Sequence, residues 1–257
     1  MKRAIIFICV LTLIVLGSCQ KVIDVDLNSE DPKFVIEGNI YEGDTTHYVL
    51  ITRSLNFDES IAYPTVDNAI VTVVDDLGNV GTFSSIGNGK YALNSYPGVA
   101  GRTYTVTVVV DGNTFSASST LQTAVPLNDV YIQELYFGLD TFRTIVAERN
   151  DPAEIRNYYQ FNIYVNGVRE NGVYLQDDQF NDGNVTLEPL FGPDLLSGDT
   201  LRLDMFCIDE PVYSYFYQLS LNSSGQATPA NPVSNFTSGC FGYFGARTFA
   251  SKTIVVP

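Results

Sequence analysis

The sequence predicts an all-β protein: an N-terminal antiparallel sandwich, then a C-terminal antiparallel β domain with one short helix. Three observations predict it. Apolar residues recur at period two along most of the chain, the spacing at which successive side chains point to opposite faces of a strand. The alternating runs are short and punctuated by Asp-Gly, Asn-Gly and related turns. Outside the N-terminus, one stretch alone opens like a helix. Composition agrees: 45% hydrophobic and 12% aromatic residues supply a core and exclude a disordered or fibrous chain.

Met1-Lys2-Arg3 is a basic start, residues 4–16 are almost continuously apolar, and Leu16-Gly17-Ser18-Cys19 follows. The apolar run is shorter than the roughly 20 residues a spanning helix needs, so residues 1–18 read as a signal peptide. With small Gly17 and Ser18 before a cysteine, the segment resembles the bacterial lipobox. That resemblance implies that Cys19 carries a diacylglyceryl group and becomes the acylated first residue, a palmitate-type anchor of two or three chains. Removing residues 1–18 takes away Lys2 and Arg3 and no acid, which moves the formal charge from -15 to -17. Lipid rather than charge would then hold the protein to a membrane. Residues 19–32, with Asp24, Asp26, Glu30 and Asp31, form an acidic tether with a possible strand at 22–27.

Residues 33–122 form the expected sandwich. Strands are read at 34–41, 46–54, 69–75, 80–84 and 90–94, and turns at Glu42-Gly43-Asp44, Leu77-Gly78-Asn79 and Gly87-Asn88-Gly89 separate several of them. Tyr104, Val106, Val108 and Val110 alternate with threonines before Asp111-Gly112-Asn113 turns the chain into 114–120, a hairpin signal. This region is expected to fold on its own. Residues 123–129, with Pro126, are read as a linker. In the C-terminal domain, 130–257, strands 130–137 and 141–148 pair around Gly138, and Asp151-Pro152 lies in a loop. Tyr159, Phe161, Ile163 and Val165 lead to a type I′ turn at Asn166-Gly167. Leu201, Leu203, Met205 and Cys207 share one strand face. Asp209-Glu210-Pro211 then opens a helix to about Asn222. A strand is the rival reading there, because Tyr213, Tyr215, Tyr217, Leu219 and Leu221 also keep period two. Strands at 241–246 and 251–256 close the chain.

The run Ala69-x-Val71-x-Val73, Asp75-Asp76-x-Gly78, Gly89-Lys90-Tyr91 and Gly101-x-x-Tyr104-x-Val106 resembles carboxypeptidase-regulatory-like or immunoglobulin-like sandwiches. Over nearly the whole mature chain a second resemblance rests on the lipobox, Asp24-x-Asp26, Pro32-x-Phe34-Val35-Ile36-Glu37-Gly38, Asn157-Tyr158-Tyr159, Phe180-Asn181-Asp182-Gly183, Gly198-Asp199-Thr200, Asn231-Pro232-x-Ser234-Asn235 and Gly242-Tyr243-Phe244-Gly245. In that order these are similar to a domain-of-unknown-function family of Bacteroidota outer-membrane lipoproteins, commonly encoded beside TonB-dependent receptors. The family carries no catalytic residues to transfer. Its expected glycine pair is replaced here by Ser238-Gly239, followed by Cys240.

Several function classes are disfavoured. Lys+Arg 14 against Asp+Glu 29 lacks the positive surface that nucleic acid requires. The single histidine, His47, sits on a strand face with Val49 and Ile51 and reads as structural rather than as a base beside Asp44. No G-x-S-x-G or H-E-x-x-H motif occurs; no catalytic residue, cofactor or metal site is assigned. Asp177-Asp178 with Asn181-Asp182-Gly183-Asn184 and Glu188 is the best oxygen cluster. Phe180 breaks the EF-hand pattern, so a polar hairpin loop is preferred and calcium binding by 177–188 is left open. The carboxylate pairs Asp75-Asp76 and Asp177-Asp178 point to opposite faces and make no acid/base couple. Tyr213, Tyr215, Tyr217 and Tyr243 are candidate ligand or partner aromatics within a wider set that includes Tyr158, Tyr164, Tyr174, Phe137, Phe142 and Phe191. Cys9 leaves with the signal and Cys19 is lipidated, so Cys207 and Cys240 are disulfide candidates outside the cytosol; two separately buried thiols are the rival.

The expected function is therefore a non-enzymatic outer-membrane lipoprotein, accessory to a machine such as a TonB-dependent transporter. The alternative is a glycan- or peptide-binding module, and a hydrolase of unrecognised type is a third. Which membrane face it occupies is not set by these residues. Replacing Cys19 by Ala should release the protein from the membrane fraction; full retention on outer membranes in high salt would show that lipid is not the anchor.

Overall fold

A computed structural model describes residues 31–55, 62–138, 140–223, 231–237 and 239–257. The expected signal peptide, Cys19 and most of the expected tether lie outside the described residues. Among the described residues, no helix is long and apolar enough to cross a membrane. Among the described residues the fold is all-β and sandwich-like with one short helix.

The described strands are β1 (Phe34–Tyr41), β2 (His47–Arg53), β3 (Ile70–Asp75), β4 (Val80–Gly87), β5 (Lys90–Leu93), β6 (Thr103–Val110), β7 (Asn113–Thr120), β8 (Leu127–Phe137), β9 (Asp140–Asn150), β10 (Tyr158–Val165), β11 (Val168–Arg169), β12 (Tyr174–Asp177), β13 (Val185–Leu190), β14 (Thr200–Ile208) and β15 (Phe241–Val255), with helix α1 (Glu210–Ser223) between the last two. One continuous sheet runs β11-β10-β14-β15-β1-β2-β5-β4-β3-β6-β7, with β12 also paired to β10; a second runs β13-β9-β8. The turn chemistry explains the hairpins. Asp111 and Gly112 at φ 48 and 76, and Asn166 and Gly167 at φ 51 and 82, have the paired positive φ of type I′ turns.

Helix α1 prevails over the strand alternative because Asp209 caps it. Its Oδ1 accepts the Val212 N–H at 3.3 Å and its carbonyl accepts the Tyr213 N–H at 3.0 Å, satisfying first-turn donors that a strand would leave to another partner. Glu210 and Pro211 suit the first turn. Val212 and Tyr215 are buried one turn apart, packing with Phe206, Ile208 and Tyr243.

The closing segment is one 15-residue strand, not two. Val35 to Tyr41 pair in parallel with Phe241 to Arg247, and Thr248 to Val255 pair antiparallel with Thr200 to Cys207. Gly242 to Thr248 are buried continuously, while exposure alternates from Phe249. A segment covered on both faces shows no period two, which hid its continuity. Gly242 is required where β15 meets β1: at φ 96, a Cβ would run into the Ile36 carbonyl oxygen.

Two further expectations are corrected. Cys207 and Cys240 are both free and buried. They lie in different hydrophobic clusters, Cys207 among Tyr159, Met205 and Leu127, and Cys240 among the residues packed around Phe244. The proposed disulfide is therefore absent, and the separate-thiol alternative holds. Within 123–129, Val125 is buried and its N–H reaches Cys207 Sγ at 3.4 Å, so that segment packs rather than spans.

The core of the N-terminal strands also includes Phe236, Cys240, Phe244 and Ala246. Burying aliphatic and aromatic side chains contributes roughly 1.5–3 kcal/mol each. A fragment of residues 33–122 should thus unfold at a clearly lower urea concentration than residues 33–257; equal midpoints would show that β15 adds nothing to the first half.

Candidate functional site

The tip of the β8–β9 hairpin places Glu134 opposite Arg143 and Tyr136 opposite Thr141. The chain leaving β13 returns against it. Arg143 Nη1 donates to the Leu195 carbonyl at 3.3 Å, and Thr144 Oγ1 donates to the Leu190 carbonyl at 3.0 Å. Between hairpin and returning loop lies an open cleft of about 740 Å³, whose lining includes Tyr136, Phe142, Phe191 and Leu195.

Three of these walls are unusually bare. Tyr136 is 71% exposed, Phe142 52% and Phe191 70%. Large apolar groups gathered in this way mark interaction surfaces more often than isolated ones do. The charges beside them are internally matched. Glu134 Oε1 lies 3.4 Å from Arg143 Nε, and Glu134 Oε2 accepts the Tyr136 hydroxyl at 2.9 Å. That hydrogen bond to a carboxylate holds the Tyr136 phenol above its ordinary pKa, so it stays a neutral donor. The cleft therefore offers aromatic faces with a polar rim, an arrangement suited to binding.

The four tyrosines singled out from the sequence behave differently. Tyr215 and Tyr243 are buried, with ring centroids 5.2 Å apart, and are corrected here to core residues. Tyr213 stacks between Tyr217, at 6.0 Å and 13°, and Tyr158, at 4.9 Å and 41°. Their rings are largely spent on one another, and Tyr217 is the most exposed of them at 48%. Phe142 and Phe191, members of the wider set, do reach the cleft. Tyr136 escaped notice because its place in an alternating strand reads as ordinary packing; its position one turn from Gly138, at the hairpin tip, is the signal that could have found it.

His47 is buried, its Nδ1 accepting the Tyr41 N–H at 3.2 Å and its Nε2 bonded to the Tyr96 carbonyl. These partners require the neutral ring with its proton on Nε2. Both nitrogens are thus committed to backbone. Glu188 parts from the aspartates: it lies on the buried face of β13, 3.9 Å from Arg149. Asp178 and Asp182 do come together, and Asp151, read only as a loop residue, joins them. Asp75, the last residue of β3, is buried, while Asp76 is exposed in the turn that follows.

A family model described as a domain of unknown function, DUF4249, matches residues 20–253. The chain belongs to that family. A search of the curated proteins found no match at a significant level.

Burial lowers the His47 pKa, against the opposing Tyr96 hydrogen bond and the Asp44 charge. A depressed folded pKa gives stability that is full above the unfolded value, about 6.5, and is lost as pH falls toward the folded value. Urea midpoints should accordingly fall from pH 7 to pH 5.5 more steeply in the wild type than in His47→Gln. Parallel profiles would show that the imidazole contributes no such dependence.

Proposed function

We propose, with membership of this family as the premise, that the protein is a non-enzymatic outer-membrane lipoprotein, an interaction partner of an outer-membrane machine of the TonB-dependent transporter kind. The observation that carries this reading is the aromatic cleft. Protein interfaces are enriched in Tyr, Phe and Arg, and Tyr136, Phe142, Phe191 and Arg143 meet there. The lipobox resemblance at Cys19 supports the membrane address. The non-enzymatic reading is supported by the single histidine, whose two nitrogens are occupied by backbone.

A glycan- or peptide-binding module is the second reading, favoured by the same exposed ring faces, on which a sugar can stack. One experiment separates the two. The native lipoprotein purified from outer membranes should retain a stoichiometric β-barrel partner. A Tyr136→Ala/Phe191→Ala variant should weaken that association at least about tenfold, as expected for loss of interface anchors. Undiminished association would remove the cleft from the interface. Glycan affinity without a barrel partner, lost in the same variant, would favour the second reading.

A further inference from the structure

Three aspartates from two loops converge at one end of the second sheet. Asp151 follows β9 and donates its N–H to the Asn184 carbonyl at 3.0 Å. Asp178 follows β12, and Asp182 lies in the turn that follows it, where Asn181 bonds back to the Asp178 carbonyl at 2.9 Å. One carboxylate oxygen from each lies within 4.8 Å of the other two. Oxygens sharing a calcium ion at 2.3–2.6 Å are separated by up to about 5 Å, so the spacing accommodates that ion.

The hydrogen bonds around these carboxylates hold them in place yet leave oxygens over. Asp151 Oδ1 accepts the Tyr159 hydroxyl at 2.5 Å, Asp178 Oδ2 accepts the Asn157 N–H at 2.7 Å, and Asp182 Oδ1 accepts the Glu154 N–H at 2.9 Å. Asp151 is 95% buried by its 5% exposure, yet its Oδ2 has no hydrogen-bond partner. The Asn157 Oδ1 is likewise buried and unpartnered. Arg156 lies 2.9 Å from Asp178 Oδ1 and 3.1 Å from Asp177 Oδ2, so this one cation is already divided between two acids. A buried carboxylate oxygen without a partner is costly unless a proton or a cation compensates it. Burial raises the Asp151 pKa and the Asp178 charge adds to the rise, while the Tyr159 hydroxyl, the Arg149 charge and the Gly183 backbone N–H oppose it. An opening of about 380 Å³, lined by Arg156, Asp178 and Asp182 among others, gives access from solvent.

We infer that Asp151, Asp178 and Asp182 form a calcium site that ties the loop after β9 to the loop after β12. Calcium suits it better than magnesium, which demands near-ideal octahedral geometry and gives up water reluctantly, whereas calcium accepts oxygens from irregular loops. Water completes the coordination shell. The site's role is structural: the ion neutralises Asp151 and adds a cross-link to two segments already joined by backbone hydrogen bonds, by the Asp178 and Asp182 side chains and by Arg156.

The test uses the full-length lipoprotein in detergent, stripped with chelator and titrated with calcium chloride alone. One calcium should bind per chain. At calcium a hundredfold above its Kd, Tm should rise by about 5–10 °C, with a much smaller rise in equal magnesium. Terbium should replace calcium and show tyrosine-sensitised emission, because Tyr159 touches Asp151. Asp182→Asn, at an exposed position that folding tolerates, should weaken binding at least tenfold, and Asp151→Asn should abolish the emission while removing the unpaired charge. Absence of both the calcium-dependent shift and terbium emission in the wild type would overturn the site and leave a proton on Asp151. Full calcium binding in both variants would overturn it as well, by placing the ion elsewhere.

Discussion

Strand β15 is the constraint on which the rest of the structure depends. Its first half is the parallel neighbour of β1 and its second half the antiparallel neighbour of β14, so one rigid segment joins the sheets of both halves. Asp209 reinforces the junction. Its Oδ2 accepts the Ser119 hydroxyl at 2.8 Å and the Thr120 N–H at 2.9 Å, while its Oδ1 caps α1. The Ser119 oxygen in turn accepts the Ala246 N–H at 2.8 Å. β7, β15 and the helix start are thereby pinned to one carboxylate. Burial raises the Asp209 pKa, but the bonds from Ser119, Thr120 and Val212 work against that rise. A charged acceptor with three donors is the condition under which a buried carboxylate is tolerated.

Two buried cations in this acidic protein are held differently, mainly by aromatic faces, since several of their guanidinium nitrogens have no hydrogen-bond partner. Arg247 is 4% exposed, donates to Gln160 Oε1 at 3.0 Å and lies between the Phe206 and Tyr243 rings at 5.4 and 5.6 Å. Arg149 is fully buried over the Tyr159 ring at 4.2 Å, with Glu188 at 3.9 Å. Aromatic faces attract a desolvated guanidinium, which accounts for part of the aromatic content that the sequence alone offered as candidate ligand contacts. Tyr243 is the clearest instance: it supports an internal cation and the underside of α1.

Legibility followed periodicity. The sandwich strands, both type I′ turns and the capped helix were readable because each carries its own local signal, alternating Tyr104 to Val110 or Asp209-Glu210-Pro211. What failed was decided by distant partners. β15 could not be read as continuous because both faces of residues 242–248 are covered, and its parallel pairing with β1 spans nearly the full sequence. β11, β12 and β13 are short or carry buried polar residues such as Thr186 and Glu188, which blur alternation. The cysteine pair failed for a related reason: two thiols left over in one domain do not have to meet, and the topology gives each its own core. At the candidate sites, residue types were visible but company was not. Phe142, Phe191, Asp178 and Asp182 could be named from sequence; Tyr136 and Asp151 needed the β8–β9 hairpin and the loop following β9 to be placed.

That hairpin also sets how the two sites relate. Phe142 and Arg143 stand near the start of β9, and Asp151 follows its end, nine residues beyond Phe142. At roughly 3.3 Å per strand residue, about 30 Å of chain separates them. Along that length Ile145, Val146, Ala147 and Arg149 are buried, and β9 is hydrogen-bonded on both sides, to β8 and β13. Coupling between distant sites requires an element with two discrete arrangements. A strand paired on both edges and covered on both faces from Thr144 to Ala147 has no second arrangement on offer, because any slip would break two hydrogen-bonded ladders and the packing on both faces at once. The sheet thus places the aromatic cleft and the aspartate cluster at opposite ends of one doubly paired strand, so that, on the readings proposed above, either can be occupied independently of the other.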